Sequence, residues 1–344
     1  MRRIGLILIT LAVAAGLAAA VLTVRMTRFV NEPLVVPEEG FLFEIPPGMA
    51  FAGVSDRLAA SGVIDQPDLL RWYARLTGQA SAVRAGEYLI AAGTTPRELL
   101  RKFVDGSVKL YSFTIVEGWN VRELLDALAA HESIDHGLTD EDWPAVLETL
   151  AADAGHPEGL FLPETYHFPK GTSDIELLRQ AHQHMQAALD EEWQNRASGL
   201  PIADPYEALI LASIVEKETA RADERARIAG VFTRRLEQGM RLQTDPTVIY
   251  GVGADFDGNL TRRHLNTDTP YNTYTRRGLP PTPIALPGRA AINAALNPTP
   301  GTELYFVATG LGDGSHKFST TKDEHDTAVR EYLARQRAAR RGQQ

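Results

Sequence analysis

Three regimes of apolar and polar spacing divide this chain. From Ile4 to Val24 no charge occurs and almost every residue is apolar, with Arg2 and Arg3 before the run and Arg25 and Arg28 after it. At about 1.5 Å per helical residue the run spans roughly 30 Å, the thickness of a bilayer core. A cleaved signal peptide with Ala18-Ala19-Ala20 as its small-residue site is the competing reading. The run is longer than a typical signal-peptide apolar region and is closed by arginines, which favours a retained anchor over residues 1–28. The arginines balance two against two. Only the free amino terminus tips the positive-inside count toward a cytoplasmic N-terminus with the body outside. No second span follows in the sequence.

Residues 29–40 are polar and proline-containing, and we expect a short linker there. Next comes a repeat of period-two strands and short amphipathic stretches. Phe43-Glu44-Ile45-Pro46-Pro47-Gly48, Tyr88-Leu89-Ile90-Ala91-Ala92-Gly93 and Phe113-Thr114-Ile115-Val116-Glu117-Gly118 share the form aromatic-x-Ile-x-x-Gly. Six residues past each glycine stands Val54, Leu99 or Leu124, and ten past it Leu58, Phe103 or Leu128. Alternation predicts a strand, the glycine a turn, and the residues four apart one face of a helix. Units this small bury their apolar faces only against one another, so the spacing predicts one compact module over residues 41–130.

Residues 131–344 then read as a mixed helix-and-strand domain. The stretch 131–200 is mainly helical, broken by a loop over 157–168 whose aromatics, prolines and acids follow neither period. A helix is predicted from Asp204 to about Thr219, with Ala208, Leu211, Ala212, Val215 and Thr219 on one stripe, and a second from Asp223 to Gln238. Prolines at 246, 270, 280, 281, 283, 287, 298 and 300 make 241–310 loop-rich. Leu304–Ala308 reads as a buried strand, Gly310–Gly314 as a hairpin tip, and the tail after Asp326 as a basic helix. The fold class expected is α+β, built on one N-terminal transmembrane helix.

Composition narrows the chemistry. The 344 residues contain no cysteine, which excludes disulfides, thiolate zinc sites and a cysteine nucleophile. Thirty-five basic residues against 44 acidic ones give a net charge of −9, which disfavours nucleic acid as a partner. His316, His325, Asp323 and Asp326 match no zinc spacing and read as a solvated loop and helix start, so no metal is expected. Ser213 lies inside a helix without the glycines of a nucleophile elbow.

Glu216 and Glu218 end the helix that starts at Asp204. Two residues apart, they point about 200° away from each other and cannot act as a pair on one bond. Glu218 follows Val215, Ile214 and Leu211 at helical spacing, at the edge of the apolar stripe; Glu216 follows Ala212 and Ser213. A carboxyl held against apolar side chains keeps its proton to higher pH, the state a general acid needs. On pattern alone, the plainer reading of both as solvated partners of Lys217 and Arg221 carries more weight. Spacing favours Glu218 over Glu216 without establishing catalysis.

The strings Glu216-Lys217-Glu218-Thr219, Arg241-Leu242-Gln243-Thr244-Asp245-Pro246-Thr247-Val248-Ile249-Tyr250-Gly251 and Tyr271-Asn272-Thr273-Tyr274 with Gly278-Leu279-Pro280-Pro281 closely resemble the MltG (YceG-like) family, the endolytic murein transglycosylases. The resemblance covers nearly the whole chain, including the anchor, the Glu164-Thr165 loop (where some members have Asp before the Thr), Asn297-Pro298 and the segment His316 to His325. It implies that residues 41–130 form a LysM-like module and that Glu218 is the catalytic acid. The implied reaction is non-hydrolytic, on the bond between N-acetylmuramic acid and N-acetylglucosamine in nascent glycan strands. One carboxyl protonates the leaving oxygen and then takes a proton from the muramic C6 hydroxyl, giving a 1,6-anhydro end without metal or organic cofactor. A hydrolase needs a second carboxylate, about 6.5–9.5 Å away for inversion or near 5 Å for retention, and Asp245 and Glu164 are the candidates.

Sugar contacts are expected from Gln243, Thr244, Asp245, Asn272, Thr273 and Tyr274, with Glu164 on its own loop. Each has a plain alternative: Asp245 before Pro246 is a common turn starter, and Asn272 can serve only to cap its own loop. The family resemblance further implies the inner membrane as location, the catalytic body on its periplasmic side, and peptidoglycan synthases as neighbours. Two rivals stay open, a non-catalytic peptidoglycan-binding scaffold and a water-using muramidase.

Overall fold

The computed structural model describes residues 2–342 apart from 140, 141, 151 and 153. It is an α+β protein whose chain forms two compact units, residues 1–111 with 167–171, and residues 112–166 with 172–344.

The first unit begins with α1 (Arg2–Asn31), whose stretch from Gly5 onward is long and apolar enough to cross a membrane. Side chains from Leu6 to Val24 lie bare on its surface. Its last turn and the residues after it pack: Phe29 and Val30 of α1 and Leu34 beyond it are buried in the core of the unit, and the Leu34 N–H donates to the Thr94 carbonyl at 2.8 Å. The apolar residues of the expected spacer thus pack instead of spanning solvent. Strand β1 (Phe41–Ile45), helices α2 (Phe51–Ala60) and α3 (Pro67–Leu76), and strand β2 (Gly86–Ile90) follow, then α4 (Pro96–Asp105). β1 and β2 pair antiparallel with Phe43 opposite Tyr88, so the aromatic residues of the first two repeats meet across the ladder. Val54, Leu58, Leu99 and Phe103, the helical positions of those repeats, are fully buried with them, and Tyr88 sets its edge on Phe103 at 4.8 Å between ring centroids. A capping box of Thr95 and Glu98 with Pro96 at the first helical position starts α4.

The third repeat departs from the expected module. Strand β3 (Leu110–Thr114) carries the boundary of the units, and Phe113, Ile115, Leu124 and Leu128 are buried in the second unit, the last two on α5 (Val121–Ala129). The compact unit ends at Tyr111, not near residue 130. The reason is a pairing that period alone does not reveal: β3 is hydrogen-bonded to β5 (Thr165–Pro169), some fifty residues further on, and the Ile115 N–H reaches the Glu164 carbonyl at 3.0 Å.

The rest of the second unit comprises β4 (Ile134–Asp135), α6 (Trp143–Thr149), β6 (Thr172–Ser173), α7 (Asp174–Gln194), α8 (Pro205–Glu218), α9 (Arg225–Glu237), α10 (Asp245–Val252), α11 (Arg262–Asn266), α12 (Arg289–Leu296), the hairpin β7 (Tyr305–Ala308) and β8 (His316–Ser319), and α13 (Lys322–Gly342). Helix α8 is its axis. Asp204 caps it by accepting from the Glu207 N–H at 2.9 Å, and every residue from Ala208 to Val215 is buried, because α7, α9, α10 and α12 surround it. Its apolar surface is a full circumference, wider than the expected stripe. The loop-rich stretch 241–310 contains three short helices that its prolines obscured. Pro246 stands in the first turn of α10, where its missing N–H removes no bond, and Pro287-Gly288 immediately precedes α12.

Candidate active site

The last residue of α8 is Glu218, after which Thr219 turns extended and the helix stops. Glu218 therefore carries its carboxyl at a helix C-terminus, where unpaired carbonyls disfavour negative charge. Glu216 points to the other side, as the two-residue spacing requires. Its Oε2 accepts from the Gly288 N–H at 3.0 Å at the start of α12, and its Oε1 lies 3.5 Å from the Arg225 guanidinium. Burial raises the Glu216 carboxyl, but both oxygens are already used in tying α8 to α9 and α12.

Among the described residues, one side chain hydrogen-bonds Glu218. The Thr244 hydroxyl donates to Glu218 Oε1. Glu218 keeps some exposed surface, yet its carboxyl is set deeply enough that burial dominates and pushes its pKa up to about 7. The Thr244 bond pulls the other way, the charge of Asp245 adds to the rise, and Arg235 opposes it. A carboxyl so placed gives or takes a proton near neutrality, which general acid–base work demands.

The loop 241–244 delivers Thr244 to that position by a short series of clamps. The Gln243 N–H donates to the Thr273 carbonyl at 3.2 Å, and the Thr244 N–H to Thr273 Oγ1 at 3.1 Å. Thr247 Oγ1 bridges the Thr244 carbonyl and Thr273 Oγ1, each at 2.8 Å. Gln243 has φ of +52°, the one non-glycine residue with positive φ among the described residues. That backbone costs about 1 kcal/mol for a residue with a Cβ and leaves the Gln243 side chain exposed beside Thr244. Asp245 is exposed in the first turn of α10 and accepts from the Tyr274 hydroxyl at 2.5 Å. Burial first, and then the charges of Asp245 and Glu218, hold the Tyr274 phenol well above its ordinary range, so it stays a donor.

Six of the residues singled out in the sequence thus cluster around Glu218, but in two roles. Gln243, Asp245 and Tyr274 offer surface to a ligand. Thr244, Asn272 and Thr273 are buried, and their polar atoms face the protein. Asn272 Nδ2 donates to the carbonyls of His264, Leu265 and Thr267 at 3.2, 3.1 and 2.7 Å, and its Oδ1 accepts the Tyr274 N–H at 2.9 Å. It brackets α11 to the Tyr274 turn. Glu164 is not gathered into this cluster. It is exposed, bonds His184 Nδ1 at 2.8 Å, and lines a cavity of about 620 Å³ with Glu117, Glu192, Arg225 and Arg289.

Two residues important to this region went unnoticed in the sequence. Arg235, on α9, is 7% exposed and donates through Nε to the Leu304 carbonyl at 2.7 Å and through Nη1 to the carbonyls of Arg241 and Leu242 at 3.2 and 2.8 Å. It holds the start of the 241–244 loop while its charge acts on Glu218 and Tyr274. Glu158, at 2% exposed, accepts from the Val121 N–H at 3.1 Å and from the Tyr250 hydroxyl at 3.0 Å, and burial pushes it up to about 7 as well. A charged residue on a helix flank and an acid in a proline-rich loop give no local signal of such burial.

The site is a carboxyl raised toward neutrality at the end of a buried helix, beside a loop with a positive-φ residue and a tyrosine-bound aspartate. The particular family follows from comparison. Residues 43–331 match the YceG-like family, and the chain belongs to it. An endolytic murein transglycosylase of Bacillus subtilis (strain 168) is 30% identical over 312 aligned residues, covering 84% of each chain. One from Streptococcus pneumoniae serotype 2 (strain D39 / NCTC 7466) is 27% identical over 324, covering 84% of this chain and 58% of that longer protein. A crystal structure of a YceG-like protein from Listeria monocytogenes is 28% identical, with a TM-score of 0.53 over 85% of this chain and 99% of that one.

Proposed function

We propose that this chain is an endolytic murein transglycosylase that cuts glycan strands of peptidoglycan, with Glu218 as its single acid and base. The observation that carries this reading is the Glu218 carboxyl itself, raised to about 7 by burial yet still partly open at the end of α8. In the first step protonated Glu218 gives its proton to the oxygen joining N-acetylmuramic acid to N-acetylglucosamine, and the C1–O bond breaks. In the second, the muramic C6 oxygen bonds to C1 and its proton passes to the Glu218 carboxylate. The products are a free 4-hydroxyl and a 1,6-anhydro end, and the enzyme regains its starting protonation without water. The Thr244 hydroxyl stabilises the carboxylate formed between the steps. Gln243, Asp245 and Tyr274 are the groups placed to touch sugar.

The finer assignments belong to the same proposal. The order β1–α2–α3–β2 with antiparallel strands supports a LysM-like, glycan-binding role for the first unit. Helix α1 supports anchoring in the inner membrane with the body on the periplasmic side, next to the synthases that make nascent strands. Asp245 lies close enough to raise Glu218, which favours a water-using muramidase as the second reading.

Mass spectrometry of peptidoglycan digested by the solubilised full chain, beside Glu218→Gln, separates these readings. Anhydro-muramic ends from the wild type alone are expected. Reducing ends would replace the lytic reaction by hydrolysis, and equal digestion by both proteins would remove Glu218 from the chemistry. No digestion by either would leave a peptidoglycan-binding scaffold.

A further inference from the structure

Helix α3 in the first unit has more apolar surface than its core contacts use. Leu70 and Ala74 are buried, and Leu69 and Tyr73 are partly buried against the same core. Trp72 lies about 200° around the helix from Leu70, and Leu76 is four residues further on the same outer side. Trp72 is 59% exposed and Leu76 73%, values like those of the bare apolar side chains of α1, from Leu22 at 54% to Leu6 at 70%. An exposed tryptophan and leucine one turn apart are an unusual pair to leave in water, and Trp is the side chain favoured where bilayer meets water.

The place of α3 says what covers this face. Its N-cap residue Gln66 accepts a hydrogen bond at 2.9 Å from the guanidinium of Arg25, the first charged residue after the apolar run of α1. Helices α1 and α3 are in contact, and Met26, Phe29 and Val30 of α1 share one core with Leu69, Leu70 and Tyr73 of α3. With α1 read as a span, the Arg25–Gln66 bond sets the start of α3 level with the point where α1 leaves hydrocarbon. Arg25 and Arg28 are exposed at the end of the apolar run of α1, and Arg75 is exposed in the last turn of α3, which suits anionic headgroups.

We propose that the outer face of α3, with Trp72 and Leu76, is a second membrane contact that rests in the interfacial layer of the bilayer crossed by α1. This rests on the reading of α1 as a transmembrane anchor. Two attachments, one spanning and one lying on the surface, hold the first unit in one orientation on the membrane instead of letting it turn about α1.

The cysteine-free chain makes the test direct, since one introduced cysteine takes one environment-sensitive fluorophore. Leu76→Cys, Leu17→Cys in α1 and Arg97→Cys on the exposed side of α4 are each labelled in the full chain. They are reconstituted in vesicles of phosphatidylethanolamine with phosphatidylglycerol, with and without lipid spin-labelled at a shallow acyl position. The expected result is quenching of about twofold or more at 17 and at 76 and none at 97. Quenching at 17 without quenching at 76 overturns the α3 contact and leaves the anchor standing. An unquenched probe at 17 overturns the anchor and this contact with it. Blue-shifted but unquenched emission at 76 means a protein covers α3, and overturns the lipid assignment. The native Trp72, read as the difference between wild type and Trp72→Phe, must show the same quenching by spin-labelled lipid without any attached fluorophore.

Discussion

Glu158 and Glu218 are two buried acids of one unit, and burial pushes both up to about 7. Their surroundings differ in kind. Glu158 is sealed, its oxygens spent on the first N–H of α5 and the Tyr250 hydroxyl. Glu218 ends a helix, has one donor in Thr244, and keeps surface open. A raised pKa therefore does not identify the acid that meets substrate. Access and unused hydrogen-bonding capacity are what favour Glu218 under the proposed reaction.

The largest expected effect breaks the symmetry between them. Glu218→Gln should lose strand cleavage by about 10²–10⁴-fold, as removal of a general acid does, whereas Glu158→Gln should stay within about threefold per folded molecule, both read by release of anhydro-muropeptides. A comparable loss in Glu158→Gln would end the distinction. In stability the two should instead behave alike. Each folded pKa lies above the ordinary 4.5, so the folded state holds the proton more tightly. The stabilisation is full below about 4.5 and is lost as pH rises through about 7. Either glutamine variant should thus gain on the wild type between pH 5 and pH 8, by up to about 3 kcal/mol in denaturant titrations.

Smaller effects sharpen the account of Glu218. Activity should fall as pH rises through about 7, because the reaction starts from the protonated acid. Asp245→Asn removes a charge that raises Glu218 and should move that alkaline limb to lower pH. Thr244→Val removes a donor that lowers it and should move the limb to higher pH. Shifts of about half to one pH unit in kcat/KM profiles would fit, and shifts in the same direction for both would refute the arrangement.

How legible this was depends on whether the signal is local. Helical spacing only favoured Glu218 over Glu216, and the family resemblance made the assignment; in the fold Glu216 turns toward Gly288 and Arg225, where its oxygens are occupied. The strand-and-helix repeat was visible because its spacing is local. Which unit the third copy joins was not, since β5 pairs with β3 from far along the chain. Asn272 and Thr273 stood out in a string that reads like ligand chemistry, yet their polar atoms hold α11 and the 241–244 loop. Arg235 and Glu158 were silent for the complementary reason: their partners are backbone groups of distant segments, which no residue pattern records.

Phe29 and Val30 turn the end of α1 into part of the first unit's core. Swinging that unit about residue 31 would expose both side chains, at a cost of about 4 kcal/mol, so the joint behaves as a weld and not a hinge. An enzyme mounted on such a stalk does not roam a volume. With α1 as the proposed membrane anchor, the first unit would patrol a sheet of fixed height above the lipid, where encounters depend on lateral diffusion and on how many strands cross each patch of membrane. Under the proposed action on nascent glycan, strands close to the membrane would pass through that sheet and those that have moved outward would leave it.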